Sequence, residues 1–283
     1  MFVPRQIVEE KLKAVLAEDI GQGDVTAAAI IPSGLKVKAE VIAKEDGVVA
    51  GIEEATILAE YLGLKVEAKA ADGEKIKSKQ VLMHISGDAQ TLLTVERTLL
   101  NLLSRMSGIA TQTRTLTDII KKNKSKTKIA ATRKTAPGLN FFDKKAVAIG
   151  GGDPHRLHLD DMILIKDNHL AIVGGVEEAV KKAKANASFS KRIEVEVTTL
   201  EDTLVAAQAG ADIVMLDNFS PKQAKEAAAK LRKAGYEKVL IEISGGVTAQ
   251  NIVEYAGADV DVISMGALTH SVKALDISLE IAK

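Results

Sequence analysis

From residue 128 onward the chain repeats one pattern, and that pattern restricts its fold more than any other feature. Short runs rich in Ile and Val alternate with amphipathic Ala/Lys/Glu segments. The runs cover 128–131, 162–165, 193–195, 213–216, 239–243 and 260–263. Near-continuous apolar strands separated by helices form a parallel sheet covered on both faces. An open doubly wound sheet and a barrel both satisfy that pattern, and the residues after each strand separate them. Arg133 and Lys134 follow the first run, and Lys166-Asp167-Asn168-His169 the second. Glu196 closes the third and Asp217-Asn218 the fourth. Ser244-Gly245-Gly246 closes the fifth and Gly266 follows the sixth. An open sheet needs polar groups only at its switch point. A barrel brings all its C-terminal strand ends to one site. The expected fold is therefore α/β, with an open, incomplete (β/α) barrel of six to seven strands.

The region before residue 128 reads differently. Residues 5–18 have helical spacing, with Ile7, Val8, Leu12, Val15 and Leu16 apolar. Residues 36–43 alternate and end at the turn signal Asp46-Gly47. A helix over 53–62, strands over 64–70 and 80–85, and a long helix over 89–106 follow. That helix resumes after Ser107-Gly108 and runs to about 122. This predicts an N-terminal α/β domain over 1–106, joined by a C-terminal helix at 272–283, and a barrel domain over 107–271. A chain of 283 residues that is 46% hydrophobic and 27% charged can bury a core in each.

Composition removes several functions. The 38 basic and 38 acidic residues cancel, which argues against a general nucleic-acid or membrane-surface binder. A neutral protein can still focus charge in a cleft. With no cysteine, disulfides, thiolate nucleophiles and cysteine metal sites are excluded. The start has no signal-peptide apolar core, and no run is long enough to span a membrane. A cytoplasmic location is expected.

The candidate site residues lie at the strand ends. Arg133, Lys134, His155, Arg156 and Lys166, with Arg97 further away in sequence, are cations that need partners or an anionic ligand. Salt bridging between loops explains any one of them; the set at successive strand ends favours a ligand. Glu196 and Asp217 end two neighbouring strands. They could hold Mg²⁺ beside substrate phosphates, accept hydrogen bonds from ribose hydroxyls, or neutralise Lys166 and Arg133. Glu194 points the same way as Glu196 by strand period, so two readings of that strand stay open. Ser244, Gly245 and Gly266 follow the last two strands, where barrels bind phosphate on backbone N–H groups. Gly150-Gly151-Gly152 reads equally as a flexible loop over substrate or a surface turn. His169 and His270 read as supporting or structural, and His84 and His158 as structural. No His/Asp/Glu spacing matches a zinc site, and Ser244 has no triad around it.

Taken together these residues describe a site for a large polyanion, such as a phosphorylated sugar carrying pyrophosphate, with a second, carboxylate-bearing substrate. Here a resemblance becomes specific. It is carried by Asp19-Ile20-Gly21-Gln22-Gly23-Asp24-Val25-Thr26, Glu96-Arg97-Thr98-Leu99-Leu100-Asn101, Ser107-Gly108-Ile109-Ala110-Thr111 and Thr132-Arg133-Lys134-Thr135-Ala136-Pro137-Gly138. It continues through His155-Arg156, Ile165-Lys166-Asp167-Asn168-His169, Glu194-Val195-Glu196-Val197, Leu216-Asp217-Asn218 and Ser244-Gly245-Gly246. In this order they resemble the quinolinate phosphoribosyltransferase family over nearly the whole chain.

The resemblance implies a reaction of quinolinate with phosphoribosyl pyrophosphate, giving nicotinate mononucleotide, pyrophosphate and CO₂ in NAD synthesis. It implies Mg²⁺ with the sugar substrate and no organic cofactor. It assigns Arg133, Lys134, His155, Arg156 and Lys166 to the basic pocket, and Glu196 and Asp217 to ribose and metal. Lys134, Lys166, Glu196 and Asp217 would be the catalytic set. Ser244, Gly245 and Gly266 would contact phosphate, with His270 near. Arg97 would reach the site of a neighbouring subunit in a dimer or larger assembly. Rival readings are a paralogous phosphoribosyltransferase-like enzyme acting on another base and a Schiff-base aldolase using Lys166. A biotinyl or lipoyl carrier over 41–51 and 72–87 is a third, but it has no lysine at a hairpin tip.

Overall fold

The computed structural model describes residues 3–282. The chain divides into two units, and not by a single cut. The first takes in the described residues up to Arg114, then Thr135–Gly151, then Leu268 onward. The second is Thr115–Lys134 with Gly152–Ala267.

The first unit is built on an antiparallel sheet. Its strand order is Ile277–Ile281, Lys36–Ala43, Val81–Asp88, Lys65–Ala68. Ala39, Val41 and Ala43 are buried at alternate positions, as the period-2 reading expects. The helix Arg5–Ile20 buries Val8, Leu12 and Leu16, which stand four residues apart on one face. The C-terminal segment, expected as a helix over 272–283, is instead extended at Ile277–Ile281. Ile277, Leu279 and Ile281 alternate with polar residues, and the segment pairs antiparallel with Lys36–Ala43. A two-residue period and a waiting strand edge outweigh helix propensity there.

The long helix, Ala89–Lys122, runs unbroken through Ser107-Gly108. Ser107 is fully buried, and its hydroxyl accepts from Ala50 N at 3.0 Å. A Cβ on Gly108 would stand 2.2 Å from the carbonyl oxygen of Lys273. This pair marks a close approach of two backbones, not a break in the helix.

The second unit carries six parallel strands: β1 (Lys128–Ala130), β2 (Ile163–Ile165), β3 (Ile193–Val197), β4 (Ile213–Asp217), β5 (Leu240–Ser244) and β6 (Val262–Ser264). Their spatial order is β1-β6-β5-β4-β3-β2. From β2 to β6 consecutive strands are neighbours, and β1 pairs with β6. That is the cyclic order of a barrel opened between β1 and β2. In β4 every residue from Ile213 to Leu216 is buried, as a sheet covered on both faces requires. The helices between strands start on sequence signals. Thr199 caps Leu200–Ala209, and Ser220 with Gln223 forms a capping box before Pro221–Lys233. The latter turns Ala224, Ala227, Ala228 and Leu231 inward, with lysines on its outer face.

Candidate active site

The C-terminal ends of the strands open into a cavity of about 490 Å³, and strand period decides which side chains enter it. β3 contributes Glu196, β4 contributes Met215 and Asp217, and β5 contributes Ser244. Lys166 follows β2, and Arg133 and Lys134 follow β1. His155 and Arg156 arrive by another route. The segment before them lies along β1, with Asp153 N donating to Ile129 O at 2.7 Å and Ala131 N to Asp153 O at 3.0 Å. It stands where the barrel is open, and it delivers both side chains to the cavity. His155 has φ of 55° and Asn218 has φ of 56°. Two non-glycine residues in the left-handed region on one rim mean that the surrounding structure holds this backbone against a local cost.

The cavity is electrostatically dense. Lys166 Nζ donates to Glu196 Oε2 at 2.8 Å. Partial burial, and then the Glu196 charge, hold the Asp217 carboxyl above its ordinary range, and Asn218 Nδ2 donates to it at 2.8 Å. Burial, and then Arg133, lower the Arg156 guanidinium from its ordinary value. Cations that repel one another, and carboxylates that do the same, persist side by side where a ligand of mixed charge is to be held.

Beneath Glu196 lies a second layer. Glu194 on β3 and Glu242 on β5 are 0% and 1% exposed. His155 Nε2 stands 3.1 Å from Glu242 Oε2 and 3.5 Å from Glu194 Oε2. Burial, and then the facing Glu242, push the Glu194 carboxyl up to about 8. So both glutamates of β3 point inward, Glu196 to the cavity and Glu194 below it.

Of the residues picked out in the sequence, the cavity gathers Arg133, Lys134, His155, Arg156, Lys166, Glu196, Asp217 and Ser244. Gly245 and Gly266 do not line it. Gly245 has φ of 86° and a would-be Cβ 2.2 Å from Asn218 Oδ1. Arg97 and His270 belong to the first unit; Arg97 is exposed, and His270 Nδ1 lies 2.6 Å from Ser271 Oγ. His169 Nδ1 accepts from Lys166 N at 2.9 Å, which closes the first turn of the helix Asp167–Val173. Gly150 and Gly151 end the helix Asn140–Gly150, and Gly150 packs where a Cβ would meet Thr113 at 2.6 Å. Gly151 ends that helix in the left-handed conformation, with φ of 92°. Sequence reasoning missed Glu242. Its signal was available: it precedes Ser244 by two residues, as Glu194 precedes Glu196, inside an otherwise apolar run.

Comparisons with known proteins give the chain's relatives. The family model described as quinolinate phosphoribosyl transferase, N-terminal domain, matches residues 24–107. The one for the C-terminal domain matches residues 109–280. A probable nicotinate-nucleotide pyrophosphorylase (carboxylating) of Methanocaldococcus jannaschii is 48% identical over 276 residues, covering 96% of this chain and 96% of its own. Its counterpart in Methanothermobacter thermautotrophicus is 45% identical over 276 residues, with 97% and 98% covered. Among solved structures, the nicotinate-nucleotide pyrophosphorylase of Francisella tularensis superposes with a TM-score of 0.90 at 38% identity, covering 99% of this chain and 98% of its own.

Proposed function

The chain belongs to the quinolinate phosphoribosyl transferase family, and on that premise we propose that it transfers phosphoribosyl from phosphoribosyl pyrophosphate to quinolinate. The products are nicotinate mononucleotide, pyrophosphate and CO₂. One observation carries the reading: a single cavity is lined by Arg133, Lys134, Arg156 and Lys166 together with His155, Glu196 and Asp217. That is a site for a dicarboxylate beside a phosphorylated sugar.

In the proposed mechanism Arg133, Lys134, His155 and Arg156 bind the two ring carboxylates and aim the ring nitrogen at C1 of the ribose. The N–C1 bond forms as the C1–O bond breaks, and pyrophosphate leaves with the electron pair. No protein nucleophile is needed, because positive charge develops on the sugar and is met by nearby carboxylate. Glu196 and Asp217 supply that carboxylate character. Lys166, already bonded to Glu196, keeps it oriented and lends positive charge to the leaving phosphates. The ring nitrogen, once bonded, is cationic. It accepts the electron pair of the C2–carboxylate bond as CO₂ departs, and a proton then adds at C2. The cations act by charge and orientation, and Lys134 and Lys166 form no Schiff base.

The donor set fits Mg²⁺, since Glu196 and Asp217 are hard oxygen ligands that line one cavity, and the Glu196 charge raises the cost of ionising Asp217. When bound there, Mg²⁺ would neutralise the pyrophosphate. The proposal extends to Gly245 and Gly266 as backbone donors to phosphate, and to His270 beside them. It also includes a cytoplasmic enzyme working as a dimer or larger assembly, in which exposed Arg97 serves a neighbouring copy.

The test is direct. Purified protein incubated with quinolinate, phosphoribosyl pyrophosphate and Mg²⁺ should form nicotinate mononucleotide, followed by chromatography, and should not form it from nicotinate. No product from a folded sample would overturn the choice of base.

A further inference from the structure

Glu194 and Glu242 are the feature of the barrel that the reaction does not by itself explain. Neither oxygen of Glu194 and not Oε1 of Glu242 has a hydrogen-bond partner, although both residues are buried. Burying a carboxylate costs several kcal/mol unless something compensates. A barrel that needed only packing would carry Val or Ile at these positions, as it does at Ile193, Val195, Ile241 and Ile243. Both acids meet at one place, the Nε2 atom of His155.

His155 reaches the cavity from the loop whose Asp153 bridges to β1. It stands on no strand or helix. Its backbone sits at φ of 55°, held by Asp153, whose Oδ1 accepts from His155 N at 2.8 Å. An imidazole on such a segment turns freely about its side-chain bonds unless something fixes it. A carboxylate has no proton to donate, so Glu242 fixes both the ring plane and the proton on Nε2.

We infer that Glu242, backed by Glu194, is a positioning residue that sets the orientation of His155 in the substrate cavity and keeps a proton on its Nε2 atom. The inference rests on the proposed function for its substrate. It extends that reading below the cavity to residues that touch no substrate. Arg156 and Lys166 stand near enough to act on Glu194, though burial and Glu242 outweigh them. The same three ligand atoms lie within 4.8 Å of one another, close enough for a metal ion. A divalent cation there would enter beside Arg156 and Lys166 without a ligand phosphate to screen it. That favours the imidazole as their partner.

The experiment compares wild type, Glu242→Ala and Glu242→Gln. Glu242→Ala should raise the KM for quinolinate roughly tenfold or more, as expected for a lost hydrogen bond to a charged group. The KM for phosphoribosyl pyrophosphate should change by less than about twofold, because that substrate engages other residues. Glu242→Gln keeps an acceptor oxygen and should recover much of the loss. In ¹⁵N-histidine NMR, with the His155 signal assigned through its absence in His155→Gln, wild type should show a protonated Nε2 and Glu242→Ala a loss of proton occupancy there. Equal loss for both substrates in the Ala and Gln variants would overturn the inference. So would an unchanged His155 spectrum, or a stoichiometric metal that leaves with Glu242. If wild type itself ignores quinolinate, the proposed function fails, and the NMR comparison still decides the role of Glu242.

Discussion

Glu54 in the first unit and Glu194 in the barrel are both 0% exposed, yet they keep different company. Glu54 Oε1 accepts from Lys145 Nζ at 2.6 Å, and Lys145 also pairs with Glu53. Beside them Asp72 Oδ1 accepts from Gly51 N and Ile52 N at the start of the helix Ile52–Tyr61. Glu54 Oε2 has no hydrogen-bond partner, but an ammonium and a helix N-terminus answer the cluster's carboxylates within the unit. Glu194 faces another carboxylate and a histidine, and the fixed cations above it line a cavity. The difference teaches where to look for function. Buried charge that is answered inside the protein maintains the fold. A buried acid left without a hydrogen-bond partner next to a cavity marks groups that await a ligand.

The comparison breaks most visibly on the structural side. Lys145→Met leaves Glu54 buried without its ammonium and should cost about 3–5 kcal/mol of stability. Denaturant melts should record the loss, while kcat/KM of the folded fraction stays at the wild-type value. The barrel should respond the opposite way. Lys166→Ala or Arg133→Ala should lose activity by about 100-fold or more, as for other charge-stabilising groups, with a melting temperature near that of wild type. Near-normal turnover in either would remove the cavity assignment. Large unfolding would mean that the barrel's charges are structural after all.

A smaller effect sharpens the picture at the phosphate end. Gly245 has φ of 86° and contacts Asn218, itself left-handed. Gly245→Ala should cost about 1–2 kcal/mol through backbone strain alone. If this loop contacts the sugar phosphate, the KM for phosphoribosyl pyrophosphate should rise and that for quinolinate should not. Equal rises would assign the glycine to barrel integrity only.

These regions also differ in how far the sequence revealed them. The barrel was readable because each strand repeats one rule: an apolar run, then a polar group at its C-terminal end. Lys166, Glu196 and Asp217 fall out of that rule by counting, and the structure brings them to one cavity. Glu242 obeys the same rule one step earlier but hides within an apolar run, where a single acid reads as an outward-facing residue. The Glu54 cluster was invisible, because Glu54, Asp72 and Lys145 meet only through tertiary packing. The C-terminal strand was misread for the related reason that its partner, Lys36–Ala43, lies more than two hundred residues away in sequence. Ser107-Gly108 looked like a helix break because a close backbone approach leaves the same small-residue mark as a turn.

The smallest expected effect tests the Glu54 cluster by pH. Burial raises the Glu54 carboxyl above its ordinary range, against the pull of Lys145. A carboxyl that binds its proton more tightly folded than unfolded favours the folded state at low pH. That contribution falls as pH rises from the ordinary glutamate value to the raised one, then levels off. Burial lowers the Lys145 ammonium, but the hydrogen bonds it donates to Glu53 and Glu54 outweigh it and leave the group raised. Its stabilisation is therefore complete at neutral pH and is lost only in strong alkali. Between the two limbs, Glu54→Gln should abolish the decline of stability with rising pH without touching the pH profile of kcat. Melts of wild type and variant across mildly acidic to neutral pH would show it. If the two slopes match, Glu54 is ionised throughout, and the Lys145 ammonium compensates its burial in full.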